Sequence, residues 1–176
     1  MARPHLSHLG IFARDVNRLE QFYAAVFGMV TTDRGVGKTF KNELVFMTGD
    51  PTQHHQLVLS SGRGADSPST IMQLSFKVEA FEELCDTRAR AIASGAENMI
   101  GLNHGNSWSV YFHDPEGNMV EVYKDTPYHT PQPCGEKLNL EQGEAALMAE
   151  TRALVDSLAG SKPRPDFTAE LSGRLG

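Results

Sequence analysis

The stretch HLGIFARDVNRLEQFYAAVFGM, residues 8–29, contains the patterns of two successive elements of secondary structure. Its first residues alternate between apolar and other side chains, which is typical of a β-strand with one buried face. From Asn17 to Phe27 the apolar residues recur at helical spacing, and Gly28 follows as a helix-ending residue. The stretch therefore predicts a strand followed by a helix.

The same order of elements occurs twice along the chain. After the first helix, hydrophobic alternation predicts strands over residues 30–34, 43–48 and 55–60. A Gly- and Ser-rich linker, SSGRGADSPST, then leads to a strand over 71–78, a helix over 81–94, and strands over 98–102, 107–112 and 119–124. Each half thus reads as a βαβββ module.

Two such modules predict an α+β fold, in which their sheets form one curved, half-open barrel around a cup. We assign the domain to residues 1–125, with module 1 at about 5–62 and module 2 at about 70–125. Residues 126–176 form a Pro-rich segment and a C-terminal helical extension, with one amphipathic helix over 140–158. We expect the extension to pack on the domain or on a neighbouring subunit, and we expect a homo-oligomer.

The composition narrows the class of protein. The 176 residues include 40% hydrophobic residues, enough for a core, and the formal net charge of −6 argues against nucleic acid as a partner. The sequence has no apolar signal core and no run of about 20 apolar residues, so we expect no membrane span and a cytoplasmic protein. Cys85 and Cys134 define neither a disulfide framework nor a zinc site.

Polar side chains converge on the predicted cup. The turn HDPEGN, residues 113–118, joins the seventh and eighth strands as a hairpin and places Tyr111 across from Glu121. The strand phases point the following residues inward: His8, Gly10, Gln73, Ser75, Ser109, Tyr111, Glu121 and Tyr123.

Three of these side chains are candidate metal ligands: His8, Gln73 and Glu121. Imidazole and carboxylate suit Fe(II), Mn(II), Co(II) or Ni(II) and leave open positions for a substrate, whereas zinc favours sites richer in His or Cys. In the alternative interpretation His8 is a hydrogen-bonded core histidine and Glu121 pairs with a cation such as Lys124.

Further histidines suggest acid-base chemistry. His54 and His55 open the predicted fourth strand, and a histidine with a pKa near 6.5 can take and return a proton at neutral pH. His104 and Tyr111 can donate hydrogen bonds to an anionic substrate oxygen. The alternatives are a polar strand entry for the His pair, a loop residue for His104 and a core aromatic for Tyr111.

Other residues of these types receive no chemical role. We expect His113 and His129 to lie at the surface, and the phase of Trp108 predicts a core position.

The segments HLGIFARDVNRLEQFYAAVFGM and VYFHDPEGNMVEVY resemble the vicinal oxygen chelate superfamily, which includes glyoxalase I, bleomycin and fosfomycin resistance proteins and type I extradiol dioxygenases. The resemblance covers about residues 5–125. Within the superfamily the chain is most similar to the ring-cleaving extradiol dioxygenases.

That resemblance implies roles for individual residues. His8 and Glu121 match two of the three iron ligands, and His55, His104 and Tyr111 match the acid-base histidine, a further histidine and a tyrosine. We also predict that His54 and Asn106 contact the substrate.

Gln73 departs from the pattern, because the dioxygenases have their second histidine ligand there. Glyoxalase I uses glutamine as a ligand but also needs a carboxylate on the fourth strand, where this chain has Val58. The chain also has one module pair, whereas most of these dioxygenases have two.

The resemblance implies a metal-dependent extradiol-type dioxygenase that cleaves a catechol-like vicinal diol with O₂. Fe(II) is the expected metal, with Mn(II), Co(II) or Ni(II) as alternatives. Two other functions stay open: a non-oxidative lyase, isomerase or epimerase acting on a bidentate oxygen substrate, and a metal-free ligand-binding or resistance protein.

Overall fold

The structure, a computed structural model, describes residues 4–176. The chain divides into two compact units. The first comprises the residues up to Met72 together with Arg90–Glu97 and His113–Met119. The second comprises Gln73–Ala89, Asn98–Phe112 and Val120–Gly176.

The first unit contains a four-stranded sheet and one helix. Its elements are β1 (Leu9–Ala13), α1 (Val16–Phe27), β2 (Val30–Val36), β3 (Glu43–Thr48) and β4 (Leu57–Ser61). The strand order is β1-β4-β3-β2, with β1 parallel to β4 and the other neighbours antiparallel. The sheet is open, with β1 and β2 at its edges.

Helix α1 has defined signals at both ends. The Asp15 carboxylate accepts a hydrogen bond from the Arg18 backbone N–H at 3.0 Å, and Gly28 ends the helix with a φ of 66°. The apolar face of the helix is buried, as are Ile11 and Ala13 of β1. Phe12, on the opposite face of β1, is 61% exposed. The alternation in residues 8–29 thus separates a core face from an open face.

The turn at residues 113–118 forms as its sequence predicts. Asp114 accepts hydrogen bonds from the backbone N–H groups of Glu116 and Asn118, both at 2.9 Å, and Gly117 has a φ of 78°. The buried Glu116 carboxylate in turn accepts from the Arg14 and Asp15 N–H groups, each at 2.7 Å. This turn therefore fixes the start of α1.

The second unit repeats the order of elements. It contains β5 (Leu74–Val78), α2 (Phe81–Ala93), β6 (Glu97–Asn103), β7 (Ser107–His113) and β8 (Met119–Asp125), although a few residues at the element ends belong to the first unit. Strand β5 is parallel to β8, and Ser75 lies opposite Glu121. Trp108 is fully buried, as predicted.

The C-terminal extension is more structured than the sequence indicates. It contains β9 (Tyr128–His129), β10 (Glu136–Lys137), a 3₁₀ turn (Leu140–Gln142), α3 (Glu144–Ser157), β11 (Lys162–Pro163) and α4 (Arg164–Leu175). Strand β10 extends the second sheet to the order β10-β6-β7-β8-β5, and β9 pairs with β11.

The mixed α+β fold class and the repeated order of elements are confirmed, and both main sheets are open. Most element boundaries lie within two residues of the prediction, and the following differences bear on the site and on the extension. Strand β4 begins at Leu57 instead of residue 55, and β5 begins at Leu74 instead of residue 71. The single helix over 140–158 is interrupted at Gly143, whose φ is 80°.

No helix within residues 4–176 is long and apolar enough to cross a membrane.

Candidate metal and acid-base site

Glu121 is the centre of a hydrogen-bonded cluster in the second unit. Its side chain projects from the middle of β8, and the residue is only 7% exposed. Oε1 accepts a hydrogen bond from the Tyr111 hydroxyl at 2.6 Å, and Oε2 accepts from the Ser75 hydroxyl at 2.6 Å and the Gln73 amide at 3.0 Å. All three donors are neutral.

No cation pairs with Glu121 among the residues that the structure describes. Lys124 is the partner in the alternative interpretation, but its Nζ lies 3.4 Å from Glu144 Oε1 and 5.4 Å from the centre of the Trp108 ring. A buried carboxylate without a positive partner is costly, so Glu121 is suited to bind a cation.

Gln73 sits immediately before β5, and not within the strand as predicted. Its amide donates to the Ser75 hydroxyl at 2.9 Å and to Glu121. The amide oxygen accepts no hydrogen bond from residues 4–176. This oxygen and the Glu121 carboxylate are the hard donors that Fe(II), Mn(II) and related cations accept, so the residues present fit a divalent metal.

Tyr111 and His104 continue the cluster. His104 Nε2 lies 3.0 Å from the Tyr111 hydroxyl, and His104 Nδ1 donates to the Cys134 carbonyl. Burial raises the pKa of Tyr111 well above its ordinary value, and the hydrogen bond to Glu121 and the charge of that carboxylate raise it further. Tyr111 is therefore a neutral phenol at neutral pH.

Two other predicted inward residues differ in their surroundings. Ser109 is fully buried. Burial, followed by the charge of Asp125, raises the pKa of Tyr123. Neither residue has a hydrogen bond to Glu121.

Asn106 forms hydrogen bonds with other residues of the protein. Its side-chain oxygen accepts a hydrogen bond from the Ser107 hydroxyl at 3.3 Å, and its backbone carbonyl is bound by Thr126 and Arg164. Contact of Asn106 with a substrate stays a prediction.

The first unit gathers three histidines. His8 precedes β1 and is exposed, so it is not a core histidine. The centroid of its ring lies 4.4 Å from that of the His55 ring, and the centroids of the His55 and Phe46 rings are 5.1 Å apart. The pKa of His55 is lowered by burial first, and then by the neighbouring His8 and His54. His55 is therefore neutral at pH 7 and able to accept a proton.

His54 and His55 lie in a bend before β4, and their Nδ1 atoms are 2.9 Å apart. Because the bend is irregular, both rings lie on the same side, unlike adjacent residues of a regular strand. His54 Nε2 also lies 2.8 Å from an oxygen of Asp33.

The structure thus brings together His8, His54 and His55 in the first unit and Gln73, His104, Tyr111 and Glu121 in the second. No group of three His, Cys, Asp or Glu side chains positioned to hold a metal occurs within residues 4–176.

Two residues of these clusters had no predicted role. Ser75 was predicted to point inward but without a function, and its pairing opposite Glu121 follows from the parallel register. Asp33 lies at an irregularity in the pairing of β2 with β3, which alternation along the sequence does not reveal.

Comparison with known proteins identifies the class. Residues 5–122 match the family model described as the Glyoxalase/Bleomycin resistance protein/Dioxygenase superfamily. The match spans more than half of the chain. The protein therefore belongs to this superfamily, the vicinal oxygen chelate superfamily.

Two relatives in sequence come from Rhodococcus globerulus. The chain is 25% identical to biphenyl-2,3-diol 1,2-dioxygenase 3 over 146 residues, which cover 79% of this chain and 72% of the relative. It is 24% identical to biphenyl-2,3-diol 1,2-dioxygenase 2 over 143 residues, which cover 78% of this chain and 71% of the relative.

Solved structures show the same fold. A glyoxylase/bleomycin resistance protein/dioxygenase domain from Frankia sp. EAN1pec has a TM-score of 0.61 and 21% identity, covering 71% of this chain and all of that domain. The fosfomycin resistance protein FosX from Listeria monocytogenes, in complex with Mn(II) and sulfate, has a TM-score of 0.55 and 20% identity. The match covers 71% of this chain and 95% of the FosX chain.

Proposed function

We propose that this protein is a metal-dependent extradiol-type dioxygenase that cleaves a catechol-like vicinal diol with O₂. The observation that carries the proposal is the hydrogen-bonded series Glu121, Tyr111, His104, which joins a candidate ligand to two hydrogen-bond donors. The two biphenyl-2,3-diol dioxygenase relatives support the same reaction class.

Gln73 and Glu121 are the proposed metal ligands of the second unit, and His8 is the third ligand that the sequence predicts. Fe(II) is the proposed metal, with Mn(II), Co(II) or Ni(II) as alternatives. When bound, the metal supplies positive charge that favours the ionised diol and open positions for the two reactants.

The chain's own residues supply the proton chemistry. His55 is neutral at pH 7, so it takes a proton from a substrate hydroxyl and returns it as the ring opens. Tyr111 stays a neutral phenol, and it and His104 donate hydrogen bonds to negatively charged oxygens.

A second candidate is a non-oxidative lyase, isomerase or epimerase acting on a bidentate oxygen substrate. The observation that favours it is Gln73, whose neutral amide stands at the position where the dioxygenases have a histidine ligand. A neutral amide binds metal more weakly than imidazole, which weakens the site for redox chemistry. Such an enzyme has no need of O₂.

The test is purification without added metal and without oxygen, then metal analysis, then O₂ uptake with a panel of catechols. We expect iron near one equivalent per chain, one O₂ consumed per diol and a yellow ring-opened product. Turnover of a bidentate substrate under nitrogen would instead support the second candidate. Ligand binding with no metal in either the native protein or Gln73→His would indicate a binding protein.

A matched pair of variants separates metal binding from proton transfer. His55→Ala is expected to retain iron and lose turnover, whereas Gln53→Ala, in the same segment, retains both. Full activity in His55→Ala would remove the acid-base role of His55.

We further propose that residues 1–125 form the catalytic domain, and that the protein is a cytoplasmic homo-oligomer. Light scattering of the purified full chain tests the oligomeric state, and a monomer at all concentrations contradicts it.

A further inference from the structure

We propose that residues 126–134, TPYHTPQPC, form a strap that holds the loop bearing His104 and sets the orientation of its ring. Thr130 is the central positioning residue of this strap. The strap lies outside residues 5–122, the region that matches the family model. The inference rests on the proposed function only for the role of His104, because the strap contacts are independent of the reaction.

The strap binds three successive backbone carbonyls of the loop. The Thr130 hydroxyl donates to the His104 carbonyl at 2.7 Å, and the Gln132 amide donates to the same oxygen at 3.0 Å. The Thr126 hydroxyl donates to the Gly105 carbonyl at 2.5 Å. The Thr126 N–H donates to the Asn106 carbonyl at 3.0 Å. Such a continuous set leaves the loop little freedom to rotate its peptide groups.

The loop and the strap are also complementary in shape. Gly105 has a φ of 74°, and a Cβ atom there would lie 2.5 Å from Thr130 Cγ2 and 2.8 Å from its hydroxyl oxygen. Thr130 has no exposed surface. The Thr130 side chain thus occupies the space that only a glycine at position 105 leaves open.

The strap also binds the imidazole ring. His104 Nδ1 faces the Cys134 carbonyl, which can only accept a hydrogen bond, so Nδ1 carries a hydrogen. Nε2 is thereby directed to the Tyr111 hydroxyl at 3.0 Å. One segment therefore holds both the backbone and the ring of His104.

The other side of the loop is anchored to α3. Asn103 accepts a hydrogen bond from the Gly105 N–H at 2.9 Å and donates from its amide to the buried Thr151 hydroxyl, also at 2.9 Å. The loop that bears His104 is thus held on one side by α3 and on the other by the strap.

The test compares Thr130→Val, Thr130→Ser and, as a matched control, Thr168→Val on the exposed surface of α4, in the full-length protein. Valine keeps the shape of threonine and removes the hydrogen bond. We expect Thr130→Val to lower kcat about tenfold, equivalent to one hydrogen bond of about 1.4 kcal/mol, with KM changed less than twofold. Thr130→Ser restores kcat, and Thr168→Val leaves both constants unchanged.

Nitrogen-15 NMR of the histidine rings provides a readout without turnover, with the His104 signals assigned by comparison with His104→Gln. The native protein is expected to show one set of His104 ring signals with a hydrogen on Nδ1, and Thr130→Val to show shifted, averaged signals because the ring loses its fixed orientation. If Thr130→Val does not fold, Gln132→Ala, at an exposed position, is expected to shift the same signals in the same direction. Unchanged His104 signals in the folded variants would overturn the strap, whatever the activity. A shifted ring signal with no diol turnover would support the strap and refute the dioxygenase.

Discussion

At the scale of single residues, Glu121 and its neutral donors are the most informative group. Three hydrogen bonds orient the carboxylate, but none of them balances its charge. At the proposed site a divalent cation would supply that charge to a carboxylate that is already oriented by its three donors.

We predict that Glu121→Ala abolishes metal binding, because it removes the only anionic group of the proposed ligand set. The measurement is iron or manganese content after anaerobic reconstitution. Glu79→Ala, which changes an exposed carboxylate on the same unit, is the control and retains metal. Stoichiometric metal in Glu121→Ala would contradict the ligand assignment.

We predict that Gln73→His binds Fe(II) more tightly than the native protein, by roughly tenfold, since imidazole is a stronger donor than an amide. Anaerobic titration with Fe(II) measures the change. Gln21→His, at an exposed position of α1 outside the proposed ligand set, should leave the affinity unchanged. Weaker or equal affinity in Gln73→His would place position 73 outside the coordination sphere.

Some contacts within the candidate site can be predicted from the sequence, but others cannot. The spacing of Tyr111 and Glu121 around the turn at 113–118 predicted their encounter, because a tight hairpin determines cross-strand neighbours. Asp33 was missed, because it reaches His54 through an irregular strand pairing over 21 residues of sequence separation. Such pairings depend on the folded sheet.

At the scale of elements, strand ends and the C-terminal extension differ most from expectation. Apolar alternation continues through residues 71–73, but β5 pairs with β8 only from Leu74. The first paired residue of a strand depends on the neighbouring strand, which the local sequence pattern does not show. Helix α4 was not predicted, because none of its residues is buried and its apolar pattern is weak.

Thr151 connects α3 to the second sheet, and its loss should be costly. Its hydroxyl accepts hydrogen bonds from the Trp108 indole at 2.8 Å and the Asn103 amide at 2.9 Å, all within the core. We predict that Thr151→Val lowers the free energy of unfolding by about 2–4 kcal/mol, because two buried donors lose their acceptor. Urea unfolding measures this, and Thr151→Ser should recover most of the loss. A loss below about 0.5 kcal/mol would mean that the donors find other acceptors.

The docking of α4 should depend on pH through His129, which was expected at the surface but is partly buried. Its ring stacks on Phe167 with centroids 3.6 Å apart. Burial lowers the pKa of His129, the charges of Lys162 and Arg164 lower it further, and Glu170 opposes them. Below about pH 6.5, His129 binds a proton in the unfolded chain more readily than in the folded chain. The free energy of unfolding therefore decreases as the pH falls towards the lowered pKa.

His129→Phe keeps an aromatic ring for stacking and removes the titration. We predict that the native protein loses more stability than His129→Phe when the pH is lowered from 7.5 to 5.5, measured as the free energy of unfolding in urea. Equal losses in the two proteins would show that His129 does not contribute.

At the scale of the whole molecule, the repeated βαβββ order was the most predictable feature. Each module has its own helix signals, turn residues and strand alternation, so local patterns agree with the fold. The extension has no such repeat, and its contacts with the His104 loop use backbone carbonyls that the sequence does not distinguish. For that reason the sequence predicted an extension that packs on the domain or on a neighbouring subunit, but not the contacts that residues 126–134 make with this loop.

Labelling with ¹⁸O₂ distinguishes the proposed insertion of O₂ into a vicinal diol from a non-oxidative reaction. The iron-loaded protein is mixed with a catechol that it turns over, under ¹⁸O₂ in unlabelled water, and the product is analysed at once by mass spectrometry. We expect a ring-opened product that contains two ¹⁸O atoms per molecule. An unlabelled product, formed equally well under nitrogen, would contradict it.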